Sequence, residues 1–152
     1  MKRTRRQALG QHFLHHQPTI GKIIGAFTSN LPRETTQVIV EIGPGDGALT
    51  TSLQNFSKVT GLPLILVERD RSLEEGLRSK LESPEIHFMD AATDELEKLI
   101  LTLQTSSEKK TSVISNLPYS AASQILARLA HVSESINLMV VMVQKWRCKN
   151  VI

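Results

Sequence analysis

The chain has 152 residues, a formal net charge of +3, 40% hydrophobic and 22% charged residues, ordinary values for a globular protein with one domain's worth of sequence and a real core. Cys148 is the only cysteine, so an intrachain disulfide is excluded, and no stretch is long and apolar enough to span a bilayer. The basic N-terminus lacks the apolar stretch of a secretory signal, so a soluble cytoplasmic protein is expected.

Taken along the chain, the charge is uneven from the start. Lys2, Arg3, Arg5 and Arg6 crowd the N-terminus. Such a cluster suits a polyanion, nucleic acid above all, with a solvated tail as the plainer alternative. Ile20, Ile23, Ile24 and Phe27 then mark an amphipathic helix, with Pro18 suited to its first turn. The run VIVEIG (38–43) predicts a first strand, LILVE (64–68) a second and EIHFMD (85–90) a third. TSVIS (111–115) and LMVVMV (138–143) complete the set. Runs this continuously apolar suit strands covered on both faces.

Helical stripes fall between them: Leu49, Leu53 and Phe56; Leu73, Leu77 and Leu81; Leu96, Leu99 and Leu103; Ile125, Leu126 and Leu129. These are core contacts and need no functional reading. QTSSEKKTS (104–112) reads as an exposed loop. Aromatics make up only 4% of the chain, so the core is aliphatic. Strand alternating with helix predicts an α/β fold with a doubly wound, mainly parallel sheet.

In such a sheet, ligands sit at the carboxyl ends of the strands. The first strand ends in EIGPGDGALT, where Gly43, Gly45 and Gly47 alternate between strand and helix. Glycine there permits a tight turn and close approach of backbone to ligand. The dinucleotide fingerprint G-x-G-x-x-G fits poorly, because Ala48 takes the last position. E-x-G-x-G-x-G looks more like the nucleoside loop of S-adenosylmethionine-dependent methyltransferases.

The second strand ends in Glu68, 25 positions after Gly43, close to where an acid binds ribose hydroxyls in nucleotide-binding α/β folds. A carboxylate can accept from two vicinal hydroxyls at once. The alternative is a capping or salt-bridging acid, since Arg69, Asp70 and Arg71 follow. The third strand ends in Asp90, which can accept from an adenine amino group or cap the next helix. The fourth ends in ISNLPYS (114–120). Asn and Pro are common at strand ends, and Tyr often packs its ring with the hydroxyl in water. The same residues suit methyl transfer to an exocyclic amine. The Asn116 amide oxygen and the Pro118 carbonyl can each accept one amine hydrogen, and Tyr119 can stack on the base. The base has to be unstacked to enter such a pocket.

LGQHFL (9–14), VEIGPGDGALT (40–50), LVERD (66–70), FMDA (88–91), SNLPYS (115–120) and VMVQK (141–145), in this order and spacing, resemble the ribosomal RNA adenine N6-dimethyltransferase family. The likeness is greatest to its small-subunit branch and covers nearly the whole chain up to Lys145. The resemblance implies a Rossmann-like class I methyltransferase fold, S-adenosyl-L-methionine as cofactor, and dimethylation of adenine N6 in small-subunit rRNA by a monomer. It gives Asn116, Pro118 and Tyr119 catalytic roles. Gly43, Gly45, Glu68, Asp90 and Asn116 become cofactor contacts. The 9–14 segment folds over the cofactor in the family, so Gln11, His12 and Leu14 inherit a binding role, and Lys2, Arg3, Arg5 and Arg6 are assigned to RNA.

The chain departs from the family in two places. His12 stands where the family usually has Asn. His15 and His16 make a local cluster, but with no Cys or acid at ligand spacing no metal is expected. After Lys145, WRCKNVI leaves the pattern where the family continues with further strands and a small helical domain. The expected organisation is a basic arm and cofactor-covering segment (1–17), an incomplete methyltransferase domain (18–145) and a divergent tail (146–152). A truncated or frameshifted member with weak turnover is the expectation. A non-catalytic RNA- or cofactor-binding module and a large-subunit rRNA adenine methyltransferase are the alternatives.

Overall fold

The computed structural model describes residues 14–143. Its elements run α1 (Gln17–Asn30), β1 (Thr36–Ile42), α2 (Thr50–Thr60), β2 (Leu64–Glu68), a 3-10 turn (Arg71–Leu73), α3 (Glu74–Lys80), β3 (Glu85–Phe88), α4 (Asp94–Leu103), β4 (Lys110–Asn116), α5 (Ala122–His131), a second 3-10 turn (Ser133–Ser135) and β5 (Ile136–Met142). The five strands form one sheet in the order β3-β2-β1-β4-β5, and every neighbouring pair is parallel. This is the doubly wound α/β arrangement that the alternating pattern predicts.

The apolar runs explain the layering. Along β1, Val38, Val40 and Ile42 point to one face, with Ile65, Val67 and Val113 of the neighbouring strands. Leu96 and Ile100 of α4 and Ile125 and Leu129 of α5 cover them. Ile39 and Ile114 point the other way, beneath Ile20, Ile23 and Phe27 of α1 and Leu53 of α2. Leu66 packs with Leu73, Leu77 and Leu81 around α3. A central strand buried on both sides cannot alternate apolar with polar, which is why VIVEIG reads as a continuous run. Each fully buried Leu, Ile or Phe in these layers contributes roughly 1.5–3 kcal/mol.

A polar tie holds the opposite, amino end of the sheet. Ser112 Oγ lies 3.0 Å from Thr36 Oγ1 and donates to Asn137 Oδ1 at 2.6 Å, joining β1, β4 and β5. Ser112 of the fourth strand is therefore structural. Among the described residues, no helix is long and apolar enough to cross a membrane.

The strand order places a switch point between β1 and β4. From β1 the chain winds outward through β2 and β3. It then returns to the other side of β1 and continues through β4 to β5. The helices leaving β1 and β4 go to opposite faces, which opens a crevice above the carboxyl ends of these two strands.

Candidate active site

One cleft occupies that crevice, with a volume of about 1020 Å³ out to its mouth. Eight of the residues singled out from the sequence line it together: Leu14, Gly43, Gly45, Glu68, Asp90, Asn116, Pro118 and Tyr119. Gln11, His12 and the four basic residues Lys2, Arg3, Arg5 and Arg6 lie outside the described residues.

The glycine loop is shaped by its backbone. Gly43, Gly45 and Gly47 have φ of +69°, +60° and +90°, values that side chains with a Cβ rarely adopt. Among the described residues, no atom beyond the glycine's own chain neighbours stands within 4 Å of where a Cβ at Gly43 would sit, so the loop leaves open room there. The loop is anchored at both ends. Gly43 N–H donates to the Val67 carbonyl at 2.8 Å, and Gly45 N–H to Glu68 Oε2 at 3.3 Å. From outside, Lys80 Nζ donates to the Asp46 carbonyl at 2.7 Å.

Glu68 is only 3% exposed. Its Oε1 accepts from the backbone N–H groups of Arg69 (2.7 Å) and Asp70 (2.8 Å). The carboxylate is therefore held rigidly, and Oε2 is the oxygen with capacity left for a ligand. Burial pushes its pKa up, while the three backbone N–H groups, from Asp70, Gly45 and Arg69, pull it back. The expected alternative of a Glu68–Arg69 salt bridge does not form. The Arg69 guanidinium turns instead to Asp90, with Nε 3.4 Å from Oδ2.

Asp90 follows β3, which ends at Phe88 rather than running on to residue 90. Its Oδ1 accepts from Ala92 N–H at 3.0 Å, closing a turn, and Thr93 is the cap of α4, with Oγ1 accepting from Glu95 N–H. Asp90 Oδ2 is left facing Arg69 and the cleft.

Asn116 is the last residue of β4 and has no hydrogen bond from its side chain to another described residue. The Pro118 carbonyl accepts from Ala121 N–H at 3.1 Å, starting the turn into α5. One of its two lone-pair directions is thus engaged, and the second is left for a donor. Tyr119 is 47% exposed at the cleft mouth, where an aromatic face can receive a planar base.

Among the lining residues given no role from the sequence is Glu41. It is 1% exposed, and Oε2 has no hydrogen-bond partner. Burial pushes its pKa up to about 8, against the Thr50 hydroxyl nearby, and the Glu68 charge adds to the rise. The Thr50 hydroxyl opposes the rise, although its Oγ1 makes no well-formed hydrogen bond. The available signal was a charged residue inside an apolar strand, the E of VIVEIG. Among the described residues, no group of three or more His, Cys, Asp or Glu is placed to hold a metal.

The family model described as ribosomal RNA adenine dimethylase matches residues 2–151. The chain belongs to that family. A protein of Mesoplasma florum named ribosomal RNA small subunit methyltransferase A is 36% identical over 148 residues, covering 95% of this chain and 52% of its own length. A protein of the same name from Koribacter versatilis is also 36% identical, covering 95% and 51%. That of Mycoplasma mycoides subsp. mycoides is 33% identical, covering 90% and 48%. The chain thus spans about half the length of the curated relatives it matches. The fold agrees with the class I methyltransferase arrangement of the family.

The residues present fit S-adenosylmethionine. Gly43 leaves backbone room, Glu68 Oε2 and Asp90 Oδ2 offer acceptors at successive strand ends, and Glu41 supplies a buried carboxyl lacking a partner. A nucleoside joined to a cationic amino acid presents matching hydroxyls, an amine and positive charge.

Proposed function

We propose that this cleft binds S-adenosyl-L-methionine and that the protein dimethylates the N6 amino group of adenines in small-subunit ribosomal RNA. The observation that carries the reading is the convergence of four strand ends, with the glycine loop, Glu68, Asp90 and Asn116, on one cleft. The names of the relatives support the choice of RNA.

The bound cofactor would supply an electrophilic methyl on a sulfonium. The protein's residues do the positioning. Glu68 Oε2 accepts from the ribose hydroxyls, and Asp90 from the adenine amine of the cofactor. Leu14, together with Gln11 and His12, covers it. The target amine is a poor nucleophile because its lone pair is delocalised into the ring. The Asn116 amide oxygen and the open lone pair of Pro118 accept its two hydrogens, which turns the lone pair out of the ring plane. Tyr119 stacks on the base. After transfer the nitrogen is positively charged and acidic, so its extra proton passes to water. No strong general base is needed, and the rate comes from orientation and electrostatics. The basic arm, Lys2, Arg3, Arg5 and Arg6, contacts RNA phosphates.

The test uses methyl-labelled S-adenosylmethionine and under-methylated small ribosomal subunits. It compares this chain with a version extended by a family-type C-terminal region. After digestion to nucleosides, label is expected in N6-methylated adenosine. Absence of label from adenosine with both versions, while the cofactor still binds, would overturn the reaction.

A further inference from the structure

Ser115 is a polar residue beside the apolar Val113 and Ile114 in the buried stretch of β4, and it is 0% exposed. A hydroxyl taken out of water is costly unless it is hydrogen-bonded. Ser115 Oγ donates to the Ile42 carbonyl of β1 at 2.5 Å. The two partners stand next to the working parts of the cleft. Ile42 runs directly into Gly43, the first glycine of the loop, and Ser115 directly precedes Asn116. The bond therefore crosses the switch point between β1 and β4 at its carboxyl end. The pair Ile42–Ser115 is also the last of the β1–β4 ladder, so Asn116 lies one residue beyond it. On its other side Asn116 pairs with Met142 of β5, the edge strand of the described sheet, and Leu117 N–H donates to the Met142 carbonyl at 3.0 Å. The Asn116 side chain bonds to no other described residue.

We infer that Ser115 is a positioning residue for methyl transfer, acting through Asn116. Its hydroxyl sets the distance between the Asn116 amide, which accepts from the target amine, and the glycine loop, which holds the methyl donor. This rests on the S-adenosylmethionine and adenine reading of the cleft. Ser115 does not line the cleft, so it touches neither cofactor nor base. Without its hydroxyl, Asn116 is referenced to β5 and loses its side-chain tie to β1. The glycine loop keeps its own anchors, from Gly43 N–H to the Val67 carbonyl and from Gly45 N–H to Glu68 Oε2. Loss of the Ser115 bond therefore falls on the acceptor side of the reaction and spares the donor side. Transfer between two bound groups needs near-attack geometry, and a misplacement of about 1 Å costs roughly a hundred-fold in rate.

The experiment compares the wild type with Ser115→Ala, which removes one buried atom and adds none. Three readouts are taken. In calorimetry on the whole chain, the affinity for S-adenosylmethionine is expected to stay within about three-fold of wild type, because the loop anchors remain. In NMR of the 15N-labelled chain without ligand, the Asn116 side-chain NH2 signals are expected to shift or broaden, while the amides of Thr36 and Lys110 at the amino end of the sheet stay in place. Turnover is measured with the C-terminally extended version on under-methylated small ribosomal subunits at saturating cofactor. It is expected to fall by roughly ten- to a hundred-fold, with the KM for cofactor little changed. Turnover within about three-fold of wild type, an unmoved Asn116 side-chain signal, or a loss of cofactor affinity that matches the loss of turnover overturns the proposal and leaves the cofactor and reaction readings intact. A Ser115→Ala chain that does not fold makes the bond a structural tie and overturns it too. If the extended wild type binds cofactor but labels no adenosine, the reaction reading itself fails and this proposal falls with it.

Discussion

Glu41 makes stability depend on pH in a way that can be measured without any ligand. Its carboxyl is pushed from 4.5 up to about 8 by burial, so the folded chain holds the proton more tightly than the unfolded chain does. The stabilisation linked to that proton is complete below pH 4.5 and is lost as pH rises through about 8. Each pH unit inside this window is worth at most about 1.4 kcal/mol, so raising pH from about 5.5 to 7.5 removes roughly 3 kcal/mol. That is a large share of the roughly 5–15 kcal/mol that holds a typical domain. Glu68 is also raised by burial, so the wild-type curve alone mixes two groups. Glu41→Gln keeps the shape and removes the proton. Urea unfolding of both proteins across this range isolates the Glu41 contribution, provided the slopes stay equal. The stability of Glu41→Gln relative to wild type is expected to increase by roughly 3 kcal/mol between pH 5.5 and 7.5. Parallel curves would show that Glu41 is ionised in the free fold and would refute the reasoning.

Three further outcomes are expected. Glu68→Ala weakens S-adenosylmethionine binding by roughly 1–3 kcal/mol in calorimetry, since the ribose hydroxyls lose an acceptor. It also frees Gly45 N–H, so the loop loosens. Asn116→Ala abolishes methyl transfer with cofactor affinity little changed, and the loss falls on turnover, as for an interaction made in the transition state. Charge reversal of Lys2, Arg3, Arg5 and Arg6 weakens RNA binding and flattens its salt dependence, because fewer counterions are released. An unchanged salt slope would mark the arm as a solvated tail.

The parallel sheet was legible because central parallel strands are written as apolar runs that stop at glycine or an acid. Ends were less so. The third run continues to Asp90, yet the strand stops at Phe88: Met89 N–H makes the last bond to β2, at the Glu68 carbonyl, and Asp90 then closes a turn on Ala92. Leu73 and Leu81 share a stripe, but α3 itself holds only Glu74–Lys80, with Leu73 in a 3-10 turn and Leu81 as the C-cap. Periodicity reports which residues face the core and not how the backbone gets there.

The cleft was legible as a set of strand ends, and its internal wiring was not. Nothing in LVERD says that Arg69 gives its N–H to Glu68 and its guanidinium to Asp90. The Ala121 bond to the Pro118 carbonyl likewise depends on the turn after β4. Glu41 was hidden for a different reason. A single acid inside a β-branched run is absorbed into the strand pattern, and only burial without a partner sets it apart.

The most direct test of the central claim is amide NMR of the 15N-labelled chain titrated with S-adenosylmethionine. The largest shifts are expected at the carboxyl ends of the strands, at the amides of Gly43, Gly45, Arg69, Ala91 and Leu117. Those at the amino end, Thr36, Lys110 and Asn137, should hardly move. Shifts concentrated at the amino end of the sheet, or none at saturating cofactor, would contradict the account.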